Sequence, residues 1–159
     1  MLKYTDYSIV FSEIPDEVTL AINLSNCPNR CRGCHSPWLM DDIGTELTDS
    51  ELSLLLEKYG KEITCVCFMG GDADPQRIDE MARYVNNGWS DIHIGWYSGK
   101  PETPKCISEK NFQYIKLGRY MDSMGGLRSP QTNQRLYKLL PSGEKIDITY
   151  RFWHKKDRE

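Results

Sequence analysis

Residues 17–34 read Glu17-Val18-Thr19-Leu20-Ala21-Ile22-Asn23-Leu24-Ser25-Asn26-Cys27-Pro28-Asn29-Arg30-Cys31-Arg32-Gly33-Cys34, an alternating stretch that runs straight into three cysteines. Val18, Leu20, Ile22 and Leu24 fall on one side and Thr19, Ala21 and Asn23 on the other, the period of a β-strand. The cysteines therefore sit on a loop at a strand's carboxyl end, where parallel α/β sheets and barrels build their sites. Three thiolates at this spacing can turn inward from one irregular loop around one small inorganic centre. Three is an incomplete number. A four-iron cluster has four corners, each normally held by cysteine, so such a loop leaves one corner open.

Downstream, strands and helices alternate. Thr48-Asp49-Ser50-Glu51 has the capping-box pattern, with Leu52, Leu55, Leu56 and Tyr59 on one helical face and Gly60 ending the helix. Ile63 to Met69 is nearly all apolar or cysteine, the composition of a strand buried on both faces, and Gly70-Gly71-Asp72 follows it. Asp74 and Pro75 open a second helix that turns Ile78, Met81, Ala82 and Val85 inward, with Gly88 after its end. Asp91 to Tyr97 is a third strand, before Ser98-Gly99-Lys100-Pro101, and Asn111 to Leu117 contains a fourth, before Gly118. Met121 to Gln134 reads as loop. Leu136–Leu140 and Lys145–Tyr150 read as a terminal strand pair, and Arg151–Glu159 as a charged tail. No repeat or domain boundary interrupts the chain, so residues 1–159 read as one domain.

This alternation implies right-handed βαβ units and a parallel sheet. A closed eight-fold barrel takes about 250 residues. The expected fold for 159 residues is thus α/β: a partial, open (β/α) barrel with a short C-terminal strand pair, its open side left for a large substrate to cover.

Composition excludes other classes. With 39% hydrophobic and 27% charged residues the chain is an ordinary globular one, and about 70% of its unfolded surface can be buried. No apolar run approaches the roughly 20 residues of a membrane span, and no secretory signal opens the chain. A cytoplasmic location is expected, where clustered cysteines serve metal or redox chemistry rather than disulfides. Residues 1–98 carry 7 Lys/Arg against 16 Asp/Glu, and residues 99–159 carry 13 against 7. This asymmetry reads as two differently solvated faces rather than as a surface that orients charged partners, and no basic stripe is interleaved with aromatics, so no nucleic-acid partner is expected.

Two constellations carry chemistry. Cys27, Cys31 and Cys34 suit an iron–sulfur cluster; the alternative is zinc completed by His35 or His154. Zinc motifs usually supply two separated pairs, and no second Cys-x-x-Cys exists here. Cys65, Cys67 and Cys106 read as packing residues, since free cysteine is often buried. The second constellation is Gly70-Gly71-Asp72, where paired glycines let backbone approach a ligand and a branched side chain at Gly71 would intrude on its path.

Cys-x3-Cys-x2-Cys after a first strand, with Gly-Gly-Asp after the second, resembles the radical S-adenosylmethionine superfamily. Cys34-His35-Ser36-Pro37-Trp38, Tyr114-Ile115-Lys116-Leu117-Gly118-Arg119-Tyr120 and Ser129-Pro130-Gln131-Thr132-Asn133-Gln134-Arg135 extend that resemblance to the small anaerobic ribonucleoside-triphosphate reductase activating proteins, over nearly the whole chain. Gly33 departs from the wider superfamily, much of which has an aromatic residue there.

The resemblance implies that Cys27, Cys31 and Cys34 hold three irons of a [4Fe–4S] cluster whose fourth iron chelates S-adenosylmethionine. It implies that Gly70, Gly71 and Asp72 receive the methionine amino end and that the backbone of Gly33, Cys34 and His35 lies along the adenine. Tyr97 and Ser98 become ribose or carboxylate contacts, and Lys116 faces the carboxylate. No side chain acts as a catalytic acid or base; reductive cleavage gives a 5′-deoxyadenosyl radical that takes hydrogen from a glycine. The implied partners are the glycine loop of the anaerobic reductase's catalytic subunit and a low-potential electron donor such as a flavodoxin or ferredoxin. A small-molecule radical enzyme of the same superfamily and a non-catalytic zinc-binding module are the alternatives.

Overall fold

The computed structural model describes residues 1–34 and 36–153. Its elements are β1 (Lys3–Val10), β2 (Thr19–Leu24), β3 (Thr45–Glu46), α1 (Asp49–Tyr59), β4 (Cys65–Met69), α2 (Pro75–Gly88), β5 (His93–Tyr97), β6 (Tyr114–Leu117), β7 (Arg135–Leu139) and β8 (Lys145–Asp147). The molecule is mixed α/β, with one eight-stranded sheet in the order β3-β1-β2-β4-β5-β6-β7-β8. The four strands expected to alternate with helices form its parallel middle, β2-β4-β5-β6. The remaining pairings are antiparallel, so the sheet is mixed rather than wholly parallel.

Three other differences are local. Strand β1 lies before the strand that the sequence reading places first. Its register shifts between Tyr4 and Asp6, and this bulge puts two residues rather than one between Tyr4 and Tyr7 on the helix side, hiding the period of two. The last strand ends at Asp147, because Thr149–Phe152 turns into a 3-10 helix that Thr149 starts by bonding Asp147 with both its N–H and its hydroxyl. Cys106 is exposed rather than packed.

Helix α1 begins as the capping pattern predicts, the Thr48 hydroxyl accepting from Glu51 N–H at 3.1 Å. The reciprocal half of the box is used elsewhere: the Glu51 carboxylate accepts from the Tyr4 hydroxyl at 2.8 Å, fastening α1 to β1. Helix α2 starts at Asp74, whose carboxylate accepts from Arg77 N–H. Gly60 keeps right-handed backbone (φ −56°).

Both helices cover one sheet face. Leu20, Ile22, Val66, Phe68, Ile94, Trp96 and Ile115 meet Leu52, Leu56, Ile78, Met81 and Val85 there in the main core. The opposite face carries Cys65, Cys67, Tyr97, Tyr114 and Leu136, plugged by Ile14 and Phe152. Gly95 makes room for the plug, since a Cβ there would lie 2.7 Å from Ile14 Cδ1. No helix among the described residues is long and apolar enough to cross a membrane.

Candidate functional site

The strand register decides what faces the carboxyl end of the sheet. Asn23 pairs with Met69, Met69 with Tyr97 and Tyr97 with Lys116, and residues paired across a ladder share a face. These four side chains form the floor of a cavity of about 340 Å³, whose wall includes Cys27, Cys31 and Cys34 together with Gly70 and Asp72. The structure therefore brings both chemistry-bearing constellations of the sequence to one hollow.

The cysteine loop owes its shape to backbone. Asn26 (φ 58°), Arg30 (φ 46°) and Gly33 (φ 73°) take left-handed conformations, and Cys27 N–H donates to Leu39 O at 2.8 Å, stapling the loop to the 3-10 turn Pro37–Met40. Gly33 lies outside the cavity lining. Its missing Cβ would fall 1.8 Å from the Asp122 carboxylate, so the segment after β6 occupies the place of a side chain at position 33. His35 and His154 lie outside the described residues. Among the described residues, no three His, Cys, Asp or Glu side chains are gathered closely enough to grip a single ion.

Asp72 is a hub. Its Oδ1 accepts from the Ser98 hydroxyl at 2.5 Å, and its Oδ2 accepts from Asn29 Nδ2 at 2.6 Å and Gly99 N–H at 2.8 Å. One carboxylate thus ties the end of β4 to the cysteine loop and to the end of β5. Ser98 is fully buried by this bond and does not line the cavity. Trp96 reaches round from the helix side, its indole N–H donating to Gly70 O at 2.7 Å, which fixes the Gly70 peptide at the wall. Gly71 turns the other way: a Cβ there would point at Ile78 and Leu24 in the core.

Tyr97 forms part of the floor, and its hydroxyl donates to the Glu13 carbonyl. Lys116 is buried; its ammonium donates to Ser98 O at 2.9 Å and Gly118 O at 3.0 Å, leaving a third N–H for the cavity. Burial pushes the Lys116 ammonium down to about 8, against the opposing influence of Asp72 and of the Cys31, Cys67 and Cys27 sulfurs.

The inner face has a consequence for pH dependence. Burial raises the Cys65 and Cys67 thiols and the Tyr97 and Tyr114 phenols above their ordinary values of 9.0 and 10.0. An acid whose folded value is raised stabilises the protein below its unfolded value, and that contribution is lost as pH rises past it. Lys116 has the opposite sign: its folded value is lowered, so its cost is present below pH 8 and relieved towards 10.5. One group opposes four, each proton difference being worth about 1.4 kcal/mol per pH unit. Urea midpoints of the iron-free protein are therefore expected to rise above about pH 8, turn over near pH 9 and then fall, with the rise missing and the fall starting earlier in Lys116→Met. Identical pH profiles for the two proteins would contradict the assignment of Lys116.

Sequence reasoning passed over Asn29, Gly99, Asn23, Met69 and Asp122. Asn29 alone carried a signal, as a polar residue between two of the cysteines. Compared with protein-family models, curated proteins and solved structures, the chain matches none.

Proposed function

We propose that this chain is a radical S-adenosylmethionine activating enzyme, a partial, open (β/α) barrel that installs a glycyl radical on the catalytic subunit of the anaerobic ribonucleoside-triphosphate reductase. One observation carries the reading: three cysteines from one loop line a single cavity at the carboxyl end of parallel strands, opposite a glycine-walled strand end and a buried lysine. A cavity of about 340 Å³ is the size that takes a small molecule. The donor set fits an iron–sulfur cluster better than zinc. A zinc ion with 2.3 Å bonds draws its sulfurs to within about 4 Å of one another, whereas a cluster spreads them over separate irons, as three thiols around a hollow wall would be.

When bound, the [4Fe–4S] cluster supplies one electron that cleaves the S–C5′ bond of S-adenosylmethionine, giving methionine and a 5′-deoxyadenosyl radical able to take hydrogen from a glycine of the partner. The chain's own residues bind and orient. Cys27, Cys31 and Cys34 would hold three irons and leave the fourth corner to the methionine amino and carboxylate groups. The third N–H of Lys116 offers that carboxylate a partner. The Gly70 backbone, held by Trp96, lets the ligand approach closely. Asp72, already accepting three hydrogen bonds, holds the walls in register. Met69 and Tyr97 keep the floor dry. The charged chemistry belongs to the cofactors, and no residue need act as acid or base. A low-potential flavodoxin or ferredoxin is the electron source this scheme requires.

The test is anaerobic. Purified protein should be brown with about four irons per chain. Mixed with the reductase subunit, dithionite and S-adenosylmethionine, it should produce a glycyl radical signal by electron paramagnetic resonance. Colourless protein holding one zinc overturns the proposal. Cofactor cleavage without a glycyl radical points instead to a small-molecule substrate.

A further inference from the structure

We propose that Asn29 is a positioning residue that makes the cysteine-held centre easier to reduce, by donating a hydrogen bond to the Cys27 sulfur from an amide that Asp72 and Gly99 hold in place. This inference rests on the iron–sulfur reading above and assigns one side chain of the cysteine loop a task within it.

The amide is placed by three independent features. An amide nitrogen has two hydrogens, and Asn29 Nδ2 has two acceptors: Asp72 Oδ2 at 2.6 Å and Cys27 Sγ at 3.5 Å. The neighbouring carboxylate decides which end of the amide faces it, because the amide oxygen there would meet a second acceptor. The carboxylate is itself fixed from the β5 side by Ser98 and Gly99. Gly99 supplies the room. A Cβ at that position would lie 2.5 Å from Asn29 Nδ2 and 3.0 Å from Asn29 Cγ, and Gly99 has no left-handed φ. Space, rather than backbone conformation, is therefore what glycine provides at 99. Any side chain there would force the amide out of its present position.

Hydrogen bonds to ligating sulfurs are among the protein's means of setting a cluster's potential. An N–H aimed at a thiolate withdraws electron density from it and favours the more negative, reduced form. The other hydrogen bond to a loop sulfur among the described residues runs from Ser36 N–H to Cys34 at 3.4 Å. It is a backbone bond and outlasts any side-chain change. Asn29 is thus the donor that substitution can remove. If Asn29 did no more than tie the cysteine loop to β4 through Asp72, deleting its amide would loosen the loop and leave the potential where it was.

The experiment is a redox titration of the reconstituted full-length protein, with the reduced cluster followed by electron paramagnetic resonance, in wild type, Asn29→Ala and Gly99→Ala. Asn29→Ala deletes the donor; Gly99→Ala keeps it and displaces it. Both are expected to keep wild-type iron content. Both should show about a tenfold lower ratio of reduced to oxidised cluster at the wild-type midpoint, equivalent to about 59 mV downward. If one variant loses its iron, the potential of the other decides. A wild-type potential in an iron-loaded variant, or loss of iron from both, overturns the proposal. Failure of the underlying reading looks different: the wild-type protein itself would then bind no cluster.

Discussion

On the proposed function, replacing Cys31 by alanine is expected to abolish iron binding and cleavage of S-adenosylmethionine, whereas Cys106→Ala should leave both at wild-type level. The contrast follows from where the six cysteines lie. Cys27, Cys31 and Cys34 are half-buried around one cavity, and with Cys31 gone two thiolates would have to carry a four-iron centre. No spare can move in. Cys65 and Cys67 are completely buried on the inner face of β4. Their thiols are held protonated by desolvation, and the thiolate is the form that binds metal. Cys106 is exposed on the connection from β5 to β6 and lines no part of the cavity. Iron and sulfide per chain, visible absorbance and methionine release check the pair. Iron content that falls in Cys106→Ala and survives in Cys31→Ala would reverse the ligand assignment.

What could be read in advance was set by local chemistry. The alternation of Val18 to Leu24, the Thr48 and Asp74 caps and the apolar run Ile63–Met69 each act within a few residues, and each element formed where its pattern lies. The juxtaposition of Cys27–Cys34 with Gly70–Asp72 was legible too, because parallel neighbouring strands bring their carboxyl ends together. Relations across the sheet were not. Strand β1 is hidden by a one-residue bulge that no pattern of period two reveals. The Asp72 hub joins residues 43 and 26 positions apart, and nothing in Asn29 or Ser98 announces the other. Glycines show the limit most sharply. Gly33, Gly71 and Gly99 look alike as letters, yet a Cβ at each would meet a different neighbour, Asp122, Ile78 and Asn29, and the first two also take left-handed backbone while Gly99 does not.

Gly71→Val should therefore act on stability rather than on a ligand's path, contrary to what the glycine pair suggests in isolation. A Cβ at Gly71 would lie 2.5 Å from Ile78 Cδ1, 2.9 Å from Ile78 Cγ1 and 3.1 Å from Leu24 Cδ1, among fully buried side chains of α2 and β2 that have no room to retreat. The backbone at φ +96° adds strain of about 1–3 kcal/mol for a branched residue, and overpacking adds about 1–3 kcal/mol more. Against a total stability of roughly 5–15 kcal/mol, this is a large fraction, equivalent to a melting temperature lower by about 10 °C. A ligand-blocking role would leave the unfolding midpoint of the iron-free protein unchanged, so denaturant titration separates the two accounts. The clash also has an identifiable partner. Ile78→Val removes the nearest atom, Cδ1, at a cost of about 1 kcal/mol on its own. Combined with Gly71→Ala, it should cost less than the sum of the two single changes, since residues that compete for one space couple by about 0.5–3 kcal/mol. Strict additivity would mean that Gly71 is held by its backbone conformation alone.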